Sequence, residues 1–356
     1  MKKSNFIYLR GLRHVDHTVF AVNDGQKYYV DPQFGKKMAY SSGQQVKRSV
    51  IEALELPFAA MTFNWEIDKK ENVAKQKEVH SPCDPTYTDQ LIGGYMQAKS
   101  GEGNVVKRRS PLSISAMRPL HPLLGGIEFP NENLSFDRTS HAEYHKVNVY
   151  WFDNKKRGAQ LTETELSEWL TSNNRSLPNR AFIQDQTRAS GLYTYDIAID
   201  LRTLFCVSTN KLEPELFPNI EEKLRADGWI EGKNIFGKCL ICPKEKREEI
   251  IPALASALIN WRITSNQART FSLMETLAIA ISDNANQIAY SIRGELRDDT
   301  ERPTASPRID ETTKAKLFIT PSANSYVVEA QGSVDALENA EQHLIDLMTE
   351  FDYENQ

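Results

Sequence analysis

The sequence predicts an α+β fold, and three observations carry that prediction. Strand-like and helix-like stretches interleave along the whole chain instead of segregating into blocks. One run, GLYTYDIAIDL at 191–201, alternates cleanly, with Tyr193, Tyr195, Ile197, Ile199 and Leu201 on one face and Thr194, Asp196, Ala198 and Asp200 on the other. Two helix starts carry capping residues, Ser42 with Gln45 and Thr162 with Glu165. Short strands and capped helices in this order are compatible with a ferredoxin-like sheet carrying large insertions, and no internal repeat is evident.

Taken in order, residues 5–10 have the composition of a short strand. HTVFAV, Asn23-Asp24-Gly25 and QKYYV then read as a hairpin whose turn residues tolerate positive φ. Beyond Ser42 the apolar residues Val46, Val50, Ile51 and Leu54 fall on one helical stripe. Lys47 lies at the edge of that stripe while Arg48 points away. Helical side chains lean toward the N-terminus, so the Lys47 ammonium is expected to project past the first turn, where free amides and the helix dipole favour an anion such as phosphate. The alternative is that it snorkels to water along its own stem.

The polar stretch 66–89 looks like an insertion, and AKSGEGNVVKRR at 98–109 has the composition of a mobile basic loop able to close on a polyanion. Three prolines, Pro111, Pro119 and Pro122, prevent the following apolar segment from forming one regular element. KVNVYWF at 146–152 is strand-like, and a helix is expected from Glu163 behind the capping box and a Leu161–Leu166 staple. KCLIC at 238–242 is a further strand. A helix from Ile250 to Trp261 tolerates Pro252 only in its first turn. QARTFSLMETLAIAIS and QIAYSIRGEL flank an Asp-Asn-Ala-Asn turn, and KLFIT with SYVVEA reads as a hairpin before an amphipathic helix from Val334 to Met348. The expected organisation is a discontinuous core of 1–60 and 140–296, a partly flexible insertion at 61–139, an exposed loop at 297–316, and a C-terminal hairpin and acidic helix, 317–356, packed on the core.

At 356 residues and 40% apolar content the chain can build a sizeable core. The apolar run Phe6–Leu9 is too short for a signal peptide or a membrane span. Four cysteines, Cys83, Cys206, Cys239 and Cys242, are too few for a disulfide framework in so long a chain, and a cytoplasmic protein is expected. The net charge of −5 argues against a wholesale nucleic-acid coat, but its distribution is uneven. Residues 1–50 hold nine Lys or Arg against three Asp, whereas the chain from Asp335 onward holds seven acids and no Lys or Arg. Such ends suit head-to-tail stacking of copies, although an ordinary solvated acidic helix is the commoner explanation.

Catalytic signatures are weak. His141 and His145 are four apart, but Glu143 is displaced from the HExxH position and leaves the metal-binding face. His14 and His17 are short of further ligands, and the pair Cys239 and Cys242 sits alone in an apolar run where cysteine acts as a small hydrophobe. Asp196 and Asp200 share a strand face about 13 Å apart, too distant for one site. No P-loop, GxSxG or dinucleotide fingerprint is present. There remains a set of cations, amides and aromatics: Lys36, Lys37, Tyr40, Gln44, Lys47, Arg48, Arg108, Arg109, Asn266, Gln267 and Arg269. That mixture supplies what single-stranded RNA recognition uses, namely charge for phosphates, planar groups for stacking and amides for sugar hydroxyls.

Ser41-Ser42-Gly43-Gln44-Gln45-Val46-Lys47-Arg48, behind a basic segment with Gly35 and ahead of an amphipathic helix, resembles the early motif of the Cas-seven family, the DevR-like backbone subunits of CRISPR Cascade complexes. Arg108 through Ser115, Gly191 through Leu201, and Trp261 through Arg269 are similar to later blocks of that family, in the same order. The resemblance implies an RRM-like or ferredoxin-like palm with finger and thumb-like insertions, and several copies stacked along a CRISPR guide RNA beside other Cascade subunits. It implies a target DNA or RNA read by base pairing, so that protein contacts to the guide backbone suffice. On this reading Ser42, Gln44, Lys47 and Arg48 hold guide phosphates, and Arg108, Arg109 and Arg269 add backbone contacts, with Lys36, Lys37 and Asn266 in the same basic and amide set. No catalytic residue, metal, cofactor or membrane is expected. The alternatives are a metal-dependent hydrolase at His141, Glu143 and His145, and a guide-directed ribonuclease using Asp24 or Asp31, which the predicted hairpin explains more simply as turn residues.

Overall fold

In a computed structural model of the chain, the residues described are 4–20, 26–68, 73–97, 105–128, 134–139, 142–153, 156–183, 187–263, 271–299, 301–328 and 330–356. They fall into two compact units, Met1–Glu128 with Arg188–Gln356, and Phe129–Thr187.

The larger unit begins with β1 (Phe6–Thr18), far longer than the short strand expected, because Ile7, Leu9, Leu12 and Val15 all find buried places along it. QKYYV meets HTVFAV at one point, where the Lys27 amide donates to the Phe20 carbonyl at 3.4 Å, and β2 (Tyr28–Val30) pairs with β3 (Lys37–Ala39); residues 21–25, with Asn23, Asp24 and Gly25, lie outside the described residues. Then come α1 (Gly43–Glu52), the antiparallel pair β4 (Thr62–Asp68) and β5 (Val73–His80), α2 (Thr88–Gly93), and the pair β6 (Tyr95–Gln97) and β7 (Val106–Arg108). Lys107 and Arg108, expected in a mobile loop, are therefore strand residues. The proline-rich run yields β8 (Leu112–Ile114), β9 (Arg118–Pro119) and β10 (Gly125–Glu128), each short because the prolines interrupt the ladder.

The smaller unit holds β11 (Leu134–Asp137), a 3₁₀ turn at Ala142–Tyr144, β12 (Tyr150–Asp153), β13 (Lys156–Gln160), α3 (Glu163–Ser172) and β14 (Arg180–Ile183). The capping box at α3 is complete. The Glu165 amide donates to Thr162 Oγ1 at 3.3 Å, and the Thr162 amide donates to Glu165 Oε2 at 2.8 Å.

The chain returns to the larger unit with β15 (Arg188–Asp200), α4 (Leu201–Leu204), β16 (Cys206–Ser208), α5 (Pro218–Ala226), β17 (Ile230–Asn234) and β18 (Gly237–Ile241). α6 (Lys244–Asn260) begins six residues earlier than the pattern predicts and carries Pro252 in its interior. Burial of Ile250, Ile251, Leu254, Ala255 and Leu258 along one helix outweighs the local cost of the proline. β19 (Thr276–Ser282), α7 (Ala285–Ser291), β20 (Ile292–Arg297), β21 (Thr304–Ile309), β22 (Lys316–Ile319) and α8 (Ala336–Thr349) complete it. β20 and β21 pair, so the segment 297–316 is not simply an exposed loop. SYVVEA, 325–330, forms no strand among the described residues, and a 3₁₀ turn at Pro321–Ser325 leads into it.

The principal sheet runs β10-β15-β1-β19-β22, all antiparallel, with β8 and β9 also paired to β15. Three strands thus come from 112–128, inside the stretch expected to be an insertion. β15 and β19 are both antiparallel to β1, which lies between them, and α6 belongs to the connection from one to the other. That is the split β-α-β unit on which ferredoxin-like sheets are built. Tyr193, Tyr195, Ile197 and Ile199 face a core shared with Val46 and Val50 of α1, α6 and α8. Leu12, Leu277, Ala278 and Ala280 enter a second core with Ile288 of α7 and Ile319 of β22. Both sheet faces are covered, which is why β19 is almost uninterruptedly buried and shows no clean alternation.

Candidate nucleic-acid interface

The start of α1 follows from its sequence. Ser42 takes the extended conformation of an N-cap, and its Oγ accepts from the Gln45 amide at 3.4 Å, while Val46, Ser49 and Val50 turn inward. Paired backbone hydrogen bonds between Ser41 and Met117, 3.0 and 2.9 Å, tie this start to the strand segment that carries β8 and β9. Gly43 permits the contact: a Cβ there would sit 2.5 Å from the Ile114 carbonyl oxygen. The first-turn amides of Gly43 and Gln44 have no partner among the described residues.

Between the two segments lies a groove of about 550 Å³. Ser42, Gln44 and Lys47 line one side, and Arg109, Ser110 and Ser113 the other. Its lining holds cations, hydroxyls, an amide and helix-start N–H groups, and no carboxylate among the described residues. Gln44 and Arg109 are exposed, and Arg109 makes no hydrogen bond or ion pair within the described chain. Lys47 differs from expectation. Its ammonium does not project freely past the first turn but donates to the Gly93 carbonyl at 2.7 Å and to Ser110 Oγ at 2.6 Å. Burial lowers its pKa to about 8. Two of its three N–H donors are thus spent on the groove wall, leaving one for a ligand.

Chain continuity from Tyr40 to Ser42, and from Ala116 to Arg118, extends this surface into an aromatic and cationic patch. The Arg118 guanidinium lies 4.8 Å from the Tyr29 ring centroid and 6.0 Å from that of Tyr40, and Lys37 Nζ lies 4.9 Å from that of Tyr28. Lys36 and Lys37 are exposed on the same hairpin. Arg118 and Tyr29 are the residues that sequence reasoning missed. Arg118 was masked by the prolines around it, although its place after the Ser113–Met117 run was a usable signal.

Other expected site residues lie elsewhere. Arg48 is exposed and pairs with Glu52 one turn on, at 2.7 Å. Arg108 is a correction: it is 4% exposed, with Nη2 donating to the Thr203 carbonyl at 2.8 Å, Nε to Leu91 at 3.3 Å, and Nη1 lying 3.5 Å from Glu215. The alternation of β7 turns it inward, with all three of its nitrogens on groups of the fold, while Arg109, just past the strand, faces out. Asn266, Gln267 and Arg269 lie outside the described residues, as do His141 and Asp24. Glu143 and His145 are exposed, and no group of three His, Cys, Asp or Glu side chains suited to a metal occurs among the described residues. Asp31 Oδ1 accepts from the Gln33 and Phe34 amides at 3.0 and 2.9 Å, the work of a turn residue. Asp196 and Asp200 are each held by an arginine, Arg10 and Arg202 respectively. No helix among the described residues is long and apolar enough to cross a membrane.

No protein-family profile matches the chain, and no curated protein matches it. Among solved structures it is similar to a chain described as "CRISPR RNA-guided surveillance complex, pre-nicking", at 9% identity and a TM-score of 0.44, covering 96% of this chain and 89% of that one. It is also similar to a "CRISPR RNA-guided surveillance complex" chain at 12% identity and a TM-score of 0.33, covering 96% and 84%. Overlap this loose establishes no kinship, and the site's chemistry stands on its own residues.

Proposed function

We propose that this chain binds CRISPR guide RNA as the backbone subunit of a type I Cascade-like effector, with copies stacked head to tail along the spacer and the guide left free to pair with a target DNA or RNA. One observation carries the reading. Ser42, Gln44, Lys47 and Arg109, marked from sequence in two segments about sixty residues apart, converge on one carboxylate-free groove at a helix start. Amides, hydroxyls and cations there suit a phosphodiester backbone and read no base, as a subunit that leaves sequence to base pairing requires. The chain acts without a catalytic residue or metal of its own, in the cytoplasm, alongside other Cascade subunits.

The test is purification of the protein with its operon partners, followed by extraction and sequencing of bound nucleic acid. Short RNA of uniform length with repeat-derived ends in a large assembly is the expected result. An RNA-free monomer that also ignores added guide RNA overturns the proposal.

The β4–β5 ribbon supports the thumb-like feature that the resemblance implies. Phe63, Trp65 and Ile67 are 64, 60 and 70% exposed, while Glu66 and Lys77 on the other face are ion-paired at 2.8 Å. A lone two-stranded ribbon is marginal in water, and this one leaves its apolar side uncovered. Trp65→Ala is expected to leave the melting temperature within about 2 °C, because the side chain is exposed. Affinity for guide RNA paired to its target, measured by fluorescence anisotropy, is expected to fall about tenfold with the loss of a stacking surface.

A further inference from the structure

At the C-terminal end of α6 two guanidinium groups meet without an acid. Arg13, fully buried on β1, donates from Nη1 to the Trp261 carbonyl at 2.8 Å and from Nη2 to the Ile259 carbonyl at 3.1 Å. Arg262 donates from Nη1 to that same Trp261 carbonyl at 2.9 Å and to the Asn260 carbonyl at 3.1 Å. Two positive charges therefore share one acceptor, and neither makes an ion pair among the described residues. The helix C-terminus and the ring faces account for Arg13, whose guanidinium lies 4.0 Å from the Trp261 ring centroid and 5.4 Å from that of Tyr195. Arg262 has carbonyls of the same helix end, bonded through Nη1, but no ring face and no acid beside it among the described residues.

The surroundings are rich in donors. Arg13 Nε, the Tyr195 hydroxyl and Trp261 Nε1 are buried without a hydrogen-bond partner among the described residues. Tyr195 lies over Gly11, where a Cβ would come within 2.4 Å of its ring, so glycine holds open the space the phenol occupies. The Trp261 and Tyr195 rings pack edge to face at 4.9 Å. Burial and the neighbouring Arg13 charge depress the Arg262 pKa to about 10. Unlike Arg13, Arg262 is only half-buried and reaches solvent. An oxyanion at its outer edge would relieve the repulsion between the two guanidiniums and receive the paired N–H donors that arginine offers a phosphate.

We infer that Arg262, backed by the buried Arg13, is a second phosphate contact that takes a phosphodiester of the bound RNA in addition to the groove at α1. This rests on the guide-RNA reading and deepens it. Arg13 does not touch the ligand; it supplies fixed charge from behind.

The test compares the full chain with its Arg262→Gln and Arg262→Lys variants for guide-RNA affinity over a range of KCl concentrations, and for melting temperature with and without inorganic phosphate. Arg262→Gln is expected to weaken RNA binding about tenfold and to flatten the slope of log K against log salt by about 0.7, the loss of one phosphate contact on a single strand. Arg262→Lys should restore the slope but not the full affinity, because it keeps the charge and loses the fork. If Arg262→Gln lowers the melting temperature but leaves RNA affinity and slope unchanged, the residue only caps α6 and the inference is overturned. If phosphate stabilises the wild type but not Arg262→Gln while RNA affinity is unaltered, the site takes a free oxyanion and the RNA contact is overturned. Failure here is separable from failure of the guide-RNA reading. An Arg109→Gln variant that weakens RNA binding, beside an Arg262→Gln variant that does not, sinks this inference alone; a wild type that binds no RNA sinks both.

Discussion

The double variant Lys47→Gln with Arg109→Gln is expected to lose guide-RNA binding by about 100-fold to 10,000-fold. Each substitution removes a charged donor from a phosphate-sized groove, and a hydrogen bond to a charged group contributes about 1.5–3 kcal/mol. The slope of log K against log salt should fall by about 1.4, two phosphate contacts at about 0.7 each. The two residues differ in a way that pH exposes. Burial holds the pKa of the Lys47 ammonium at about 8 in the free protein. Raising the pH from 7 to 9 therefore deprotonates Lys47 before an RNA arrives and should weaken wild-type binding about tenfold. Arg109→Gln keeps that pH dependence and Lys47→Gln abolishes it. The effect on folding has the opposite sign. The lysine pKa is depressed in the folded state, so between about 8 and its usual value the unfolded chain holds more protons, and the Lys47 contribution to stability rises with pH. Because Lys47 also bridges Gly93 and Ser110, melting temperatures must accompany the binding data. Binding that is insensitive both to the double substitution and to pH would remove the groove from the interface.

How much of this was legible in the sequence depended on whether the signal was local. The Ser42 and Thr162 caps, the alternation of 191–201 and the α8 stripe each concern neighbours along the chain, and each was readable. Partner choice was not. β2 pairs with β3, and β8 to β10 join β15 from about 70 residues away, because strand pairing is settled by which apolar faces can be buried together. Pro252 misled for the same reason: a local rule ended the helix, and tertiary burial extended it. At the site, helix periodicity put Lys47 on the correct edge of α1, but no helix-based argument could foresee that Gly93 and Ser110 would be waiting there. Arg118 escaped because its value comes from Tyr29 and Tyr40, which are distant in sequence and adjacent in space.

Arg108 and Arg109 show that limit most sharply, and Arg108→Ala should have the largest effect on folding of any substitution considered. Composition makes the two arginines equivalent, whereas the strand period makes them opposites. Truncating Arg108 leaves the Leu91 and Thr203 carbonyls and the Glu215 carboxylate facing a space just vacated by a buried cation. Removing a buried cation bonded to two backbone carbonyls and lying beside the partly exposed Glu215 carboxylate is expected to cost about 3 kcal/mol, since the buried acceptors lose their donors. A fall of that size should appear as a lower urea midpoint with an unchanged m-value, while protein that remains folded binds guide RNA as the wild type does. Arg109→Ala should invert the pattern, with an unchanged midpoint and weakened RNA binding, because its side chain is exposed and has no hydrogen bond or ion pair among the described residues. An Arg108→Ala protein of wild-type stability that binds RNA poorly would show that Arg108 serves the ligand after all. It would also mean that the interior around β7 is organised differently from the arrangement described above.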